Sequence, residues 1–382
     1  MFVTMQDANP KNRIVFIDLM RAYAILMMVQ GHLVDACLDP IYRDPNNLIY
    51  ATWNFMRGMT APVFFFSSGM IFTYLLMREE ERSGKGFKNV RVKKGFARFT
   101  SLIFIGYLLH FNFWILWDLL DGSLEKSYHS MLIVDVLHII GTALLLIVLM
   151  YILATYTRIK VYALLLIGAL ATFYYYPDIE PFDFSYLPDF LSNYLAKGKQ
   201  FSFTIIPWVG YSLFGGVLGI FVWTRPKSIN SYILAFIFLV LGFLLHFYST
   251  EMLLDLYVFT DWINFKQLAF NNFLFYRLGH VFIVVSIFMV INNIFKNIPK
   301  IVPKIGSETL TIYIVHAFVI YGSIFQFGIA QNFSKALTPW ECFALALTLE
   351  IFFVVLVYYI KPIRAYLWEV GYKLKLVTKP KS

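Results

Sequence analysis

I-V-F-I-D-L-M-R-A-Y-A-I-L-M-M-V-Q-G-H-L-V-D-A-C, from Ile14 to Cys37, is apolar enough to cross a membrane yet carries Asp18, Arg21, His32 and Asp35. An ionisable group at mid-bilayer costs about 2.5–3.5 kcal/mol on the insertion scale. A helix that tolerates four of them must turn them toward protein, water or a ligand. His32 and Asp35 are three residues apart and share a helix face. That spacing predicts a carboxylate that orients and charge-supports an imidazole. Asp18 and Arg21 have the same spacing, so Arg21 either pairs with Asp18 or holds an anionic ligand. Arg21 and His32 stand roughly 16 Å apart along a helix axis. That is too far for one point of chemistry and suits a helix lining a tunnel.

The composition agrees with a membrane setting. Apolar residues make up 59% of the 382 and charged ones 14%, and the mean hydropathy is +0.66. A net charge of +9 suggests nucleic acid in a soluble protein. Here the positive-inside rule explains it, because cytoplasmic loops retain Lys and Arg. Two cysteines, Cys37 and Cys342, provide neither a disulfide framework nor metal-ligand spacing. The first apolar run is long and charged and has no small-x-small cleavage site after it, so it is expected to be retained.

Apolar runs of spanning length fall at roughly 14–37, 58–77, 99–117, 131–152, 161–176, 205–223, 231–249, 275–295, 308–330 and 339–360. The expected fold is an all-α polytopic integral membrane protein of about ten transmembrane helices, one domain over 1–382. No run alternates as a barrel strand does. With the N-terminus inside, the inner segments hold 23 Lys and Arg and the outer ones 7. Both termini are therefore expected to be cytoplasmic. No internal repeat and no long Gly/Ser or Pro-rich linker is evident. The loops about 177–204 and 250–274 either cap an outward cavity or lie on the bilayer surface as plain connectors.

The titratable residues are unevenly placed. His32, His110, His138, His246 and His280 fall in the outward part of their spans, with Asp35, Asp135 and Arg277. His129 falls in an outer loop, and His316 is counted to the inner half of span nine. Such a group at one depth suggests a hydrated vestibule. Asp135 and His138 repeat the i,i+3 spacing of His32 and Asp35 and read equally as site or structure. His246, at a helix end, reads as interfacial, and His110, among Phe111, Phe113 and Trp114, as a core histidine. On the inner side, K-G-F-K-N-V-R-V-K-K-G-F-A-R runs from Lys85 to Arg98 into span three. Lys94 and Arg98 lie one turn apart, a spacing that places two cations on one phosphate. The competing reading is a topogenic anchor. Gly215 and Gly219 form a small-xxx-small pair that lets another helix approach closely. There is no Walker loop, H-E-x-x-H or G-x-S-x-G, which leaves chemistry to His and carboxylates.

R-I-V-F-I-D-L-M-R-A-Y-A-I-L-M-M-V-Q-G-H, from Arg13 to His32, resembles the opening of the heparan-alpha-glucosaminide N-acetyltransferase family of membrane acyltransferases, in its bacterial type. The family pattern is close to R-x-x-x-I-D-x-x-R-G-x-A-I-x-x-M, with Ala22 here in place of the usual Gly. T-A-P-V-F-F-F-S-S-G (Thr60–Gly69) resembles the family's second span, and V-D-V-L-H-I-I-G (Val134–Gly141) its fourth, with His138 in place of the common Gln. P-W-V-G-Y-S-L-F-G-G-V-L-G, opening at Pro207, resembles its P-W-L-G segment. L-T-I-Y-I-V-H (Leu310–His316) resembles the late Y-x-x-H of membrane O-acyltransferases that modify polysaccharides.

The resemblance implies acetyl-CoA as cytoplasmic donor and a glycan or amino-sugar amine or hydroxyl as acceptor across the bacterial cytoplasmic membrane. His32 with Asp35 is then the general base or transient acyl carrier. Lys94, Arg98 and Arg21 hold the CoA phosphates, and Asp135, His138 and Arg277 serve the acceptor. No metal and no nucleic acid are expected; membrane lipid is the surroundings, and a homo-oligomer is compatible with the sequence. A proton-coupled transporter of a small solute is the alternative. It accounts for the buried charges but lacks the inverted repeat that many carriers show.

Overall fold

The computed structural model describes residues 14–111, 113–122, 131–196, 203–295 and 297–373; His129 lies outside them. Among the described residues the chain is helical, and its only extended pairing is an isolated bridge between Leu38 and Leu337. The helices that build the body are α1 (Val15–Cys37), α2 (Leu48–Gly58), α3 (Thr60–Ser83), α4 (Val90–His110), α5 (Val136–Tyr156), α6 (Val161–Tyr174), α7 (Ile205–Thr224), α8 (Tyr232–Thr260), α9 (Phe273–Ile294), α10 (Ile301–Ser307), α11 (Thr309–Tyr321), α12 (Pro339–Tyr358) and α13 (Ile360–Lys373).

Local chemistry sets where they start. The Asn47 side chain accepts from the amides of Ile49 and Tyr50 at the head of α2. Thr338 and Glu341 form a reciprocal capping box for α12. Asn89 is fully buried. Its oxygen accepts from the Arg91 amide at 2.9 Å, while its nitrogen donates to the Leu76 carbonyl at 3.0 Å and the Tyr151 hydroxyl at 3.2 Å. One amide thus starts α4 and ties it to α3 and α5 with its polar atoms satisfied, as burial demands.

Helices occupy all ten expected apolar stretches, but they do not qualify equally as spans. Seven runs of the described residues are long and apolar enough to cross: Val15–Cys37, Leu48–Ser83, Val136–Tyr156, Ile205–Thr224, Tyr232–Thr260, Phe273–Ile294 and Pro339–Tyr358. α6 is apolar but only 14 residues long. α4 begins nine residues before the expected span, so Arg91, Lys93, Lys94 and Arg98 are helical rather than loop residues. The ninth stretch is a bent pair, Ile301–Ser307 and Thr309–Phe325, meeting at 76°.

Burial sorts the helices into an interior and a rim. In their apolar windows α7 is 72% and α1 67% buried, against 17% for α8 and 28% for α12. The first pair is the interior of the bundle, and the second turns its apolar sides outward. α1 is packed by α3, α9, α10, α11 and α12. The closest seam joins α3 to α7, and Gly215 and Gly219 face α3 in it. A Cβ on Gly215 would overlap the Phe66 carbonyl, and one on Gly219 the Met70 carbonyl. Ser212 Oγ donates to the Phe65 carbonyl at 3.0 Å across the same seam.

Candidate active site

His32, near the C-terminal end of α1, does not have Asp35 as its partner. His32 Nδ1 is 2.8 Å from the Tyr321 hydroxyl, and its ring stacks on His316 with centroids 5.2 Å apart. Asp35 instead forms an ion pair with Arg57 of α2. Arg43 Nη2 donates to the carbonyls of Asp35 at 3.0 Å and Leu38 at 2.7 Å, closing the end of α1. The i,i+3 spacing put both side chains on one sector of the helix. A guanidinium brought in from the next helix then took the carboxylate, because a charged donor binds it more strongly than an imidazole. Gly31 leaves room for it, since a Cβ there would lie 3.2 Å from Arg57 Cγ.

The carboxylate that belongs to the histidine cluster is Asp135. Its Oδ1 accepts from the Leu137 amide at 2.9 Å as the N-cap of α5 and lies 2.7 Å from His138 Nδ1. Its Oδ2 accepts from the Tyr313 hydroxyl at 3.0 Å and stands 3.6 Å from His110 Nε2. His138 Nδ1 also lies 3.2 Å from the Asp135 amide. One ring nitrogen cannot donate to the carboxylate and accept from the amide at once, and the shorter bond to the charged group prevails. His138 is fully buried, with Tyr107 edge-on at 4.4 Å. It fits because residue 106 is glycine, where a Cβ would overlap the imidazole. Asp135 and His138 thus cap α5 and join the site together.

Tyr313 and His316 share a face of α11, their rings 4.8 Å apart. His316 Nδ1 donates to the Tyr313 carbonyl. A carbonyl only accepts, so Nδ1 carries the proton and Nε2 presents its lone pair. Counted along the chain from the nearest loop, His316 falls in the inner half of its span. The bend at Glu308 changes the depth: α11 starts inside the bundle, where Arg21 Nη2 donates to Thr309 Oγ1 at 2.7 Å, and His316 lies two turns further on, level with His32. Glu308 itself is held by Arg364 of α13 through two bonds of 3.1 and 2.5 Å.

At the opposite end of α1, Arg21 lines a cavity with Arg91, Arg98, Ser68, Thr309 and Tyr313, walled by apolar residues of α3, α4 and α5. It encloses about 640 Å³ counting its open mouth. Arg91 and Arg98 lie seven residues apart, two turns of one face. Lys94 is exposed and is not in the lining. Of the two cations expected one turn apart, Arg98 lines the cavity, where with Arg21 and Arg91 it makes three guanidiniums from two helices. Tyr313 links the two ends: it lines this cavity and touches His316 and Asp135.

Arg277 is not brought to this cluster. It lines a separate cavity at the histidine end of the bundle, with its guanidinium 5.7 Å from the Phe273 ring centroid. His246, expected at the interface, is hydrogen-bonded through Nδ1 to His280 Nε2 at 2.9 Å, with Tyr276 against both rings. Among the described residues no group of His, Cys, Asp and Glu is arranged to hold a metal ion. Sequence reading had no signal for Tyr321 or Arg57 as contacts of the site; Arg91 was detectable as the residue two turns before Arg98.

Heparan-alpha-glucosaminide N-acetyltransferase, catalytic, is the family whose pattern matches the chain, over residues 13–247. No curated protein and no solved structure matches it. The matched region holds His32, Asp35, Arg21, Lys94, Arg98, Asp135 and His138; Arg277 and the α11 residues that complete the site follow it. With most of its length so matched and, among the described residues, seven helical runs able to span a bilayer, the chain belongs to the heparan-alpha-glucosaminide N-acetyltransferase family of membrane acetyltransferases.

Proposed function

We propose that the chain moves an acetyl or similar acyl group from cytoplasmic acyl-CoA to a sugar amine or hydroxyl on the other side of the membrane. The observation that carries this is Tyr313, a wall of the arginine-lined cavity that also touches His316 and Asp135. Arg21, Arg91 and Arg98 hold the donor phosphates, since guanidiniums bind phosphate oxygens through paired N–H groups. Lys94, exposed on the same helix as Arg98, attracts the polyanionic donor to the mouth. The thioester arm then follows the apolar cavity toward the histidines, a path comparable to the roughly 16 Å between Arg21 and His32.

At the histidines, a base takes the proton from the acceptor nitrogen or oxygen as that atom attacks the thioester carbonyl carbon. The C–S bond breaks, and the CoA thiolate leaves and takes up a proton. His316 Nε2 suits the base because its lone pair is fixed by the bond at Nδ1. His32, stacked on it and steadied by Tyr321, serves as second base or as transient acyl carrier. Asp135 and His138 hold Tyr313, and thereby His316, in place. Asp35 acts on the end of α1 through Arg57 and not on His32. Both termini on the cytoplasmic side accord with the Lys and Arg distribution.

The test is transfer of labelled acetyl from acetyl-CoA to amino-sugar acceptors by the purified chain in nanodiscs. His316→Ala and His32→Ala are each expected to lower turnover by roughly 10²–10⁴-fold, the usual range for a lost general base. Undiminished turnover in both variants would sink the proposed roles.

A further inference from the structure

I-K-P-I-R-A-Y-L-W-E-V-G-Y-K, from Ile360 to Lys373, forms α13. Its 14 residues rise about 21 Å, short of the roughly 30 Å of a hydrocarbon core. It follows α12, which is able to span and ends at Tyr358. Tyr358 and Tyr359 are both exposed, an aromatic pair suited to the level where a span meets headgroups. α13 therefore starts at the membrane surface. By helical spacing Ile360, Ile363, Leu367 and Val370 share one face, bordered by Tyr366 and Trp368, and Lys361, Ala365, Glu369 and Tyr372 form the opposite one. Tyr366 is 67% and Leu367 60% exposed, so the protein leaves much of the apolar side uncovered. A helix this short with so little packing is marginal in water.

The charges around its start point to what covers it. Glu308 takes Arg364, and Glu369 takes Lys373 at 2.7 Å. Lys304 of α10 donates to the Tyr358 carbonyl at 3.2 Å, and Lys361 is exposed three residues further on. Among the described residues neither lysine has a carboxylate partner. Two unanswered ammonium groups at the foot of a span, beside an uncovered apolar face bordered by a Trp, match an interfacial helix on acidic lipid. Arg364 also donates to Thr311, which fastens the first turn of α11 to α13, and Thr309 of that turn accepts from Arg21. We propose that α13 lies on the adjoining leaflet and binds acidic phospholipid, with Ile363, Leu367 and Val370 among the acyl chains and a headgroup phosphate on Lys304 and Lys361, and that Arg364 passes this contact to the first turn of α11. Lipid binding here is independent of the reaction proposed for the bundle.

The test uses the full chain in nanodiscs of phosphatidylcholine with or without phosphatidylglycerol. Bimane is placed on Leu367→Cys or, on the opposite face, on Ala365→Cys; the native cysteines are buried and stay unlabelled. Lipids brominated near the headgroup are expected to quench the probe at 367 several-fold more than the probe at 365. In the unaltered chain, amide hydrogen exchange in α13 is expected to be about tenfold slower with phosphatidylglycerol present, the scale of two lysines at an acidic surface. Lys304→Gln with Lys361→Gln removes that difference. Arg364→Gln keeps the quenching at 367 but abolishes the lipid dependence of exchange in the first turn of α11. Equal quenching at the two positions overturns the proposal, as does the same α13 exchange in both lipids or a lipid preference that survives the double lysine variant. Protection that appears only with two copies in one disc assigns the face to a second copy of the chain and also overturns it. The exchange measurement on the unaltered chain decides the matter even where a variant does not fold.

Discussion

At the scale of single residues, the site depends on which groups are held by more than one helix. Asp135 is fixed by its own cap on α5, by His138 and by the Tyr313 hydroxyl of α11. A change that moves His138 therefore reaches Tyr313 and His316 without touching them. Gly106 is such a position, because a methyl there overlaps the imidazole. Gly106→Ala is expected to cost about 1–3 kcal/mol, as overpacking in a closed core does, and to reduce turnover as well. Denaturation of the detergent-solubilised variant followed by its tyrosine and tryptophan signal checks the first part, and acetyl transfer the second. An unchanged midpoint would mean that His138 has room to shift. The sequence singled out His32, Asp135 and His138 because ionisable residues inside apolar runs are costly wherever they are. It missed the pairing of Asp35, since the partner Arg57 is set by how α2 returns over α1. It also misplaced His316, since depth counted along a chain assumes a straight helix.

At the scale of elements, two features organise the bundle: the seam between α3 and α7, and the bend between α10 and α11. The seam was legible in part, because Gly215 and Gly219 announce a close approach, but nothing in the spacing names α3 as the partner. A larger side chain at Gly215 meets the Phe66 backbone, which cannot rotate away. Gly215→Leu is expected to destabilise by about 1–3 kcal/mol or more, read as a lower Tm of the purified protein. Ala at Gly58, where an added Cβ meets nothing within 4 Å, is the matched control and should leave Tm unchanged. The bend was not legible. It depends on contacts far apart in sequence: Gly306 lies on the backbone of Asp18, and Arg364 holds Glu308 and Thr311. Apolar runs locate helices well, because the bilayer demands them. They do not report a break whose freed polar groups are satisfied by other helices.

At the scale of the whole molecule, the charge is divided along α1, with guanidiniums at one end and imidazoles with Asp135 at the other. If the first end receives the donor and the second the acceptor, their defects should separate kinetically. Arg98→Ala is expected to raise KM for acetyl-CoA by about tenfold or more through loss of a charge-assisted phosphate contact, with KM for the acceptor unchanged. A rise in both would place Arg98 in the fold rather than at the donor. The same division makes orientation testable, and orientation decides whether the reaction crosses the membrane at all. The segments expected inside carry 23 Lys and Arg against 7 in those expected outside, and such a bias directs topology during insertion. Lys85, between α3 and α4, and Ser185, between α6 and α7, are both exposed and belong to opposite ends of the bundle. The two native cysteines are buried, so background labelling is low. In intact cells a membrane-impermeant maleimide should label Ser185→Cys and spare Lys85→Cys until the membrane is permeabilised. The reverse pattern would put the arginine-lined cavity on the outside, where acyl-CoA is not supplied, and the transfer proposed here would have no donor.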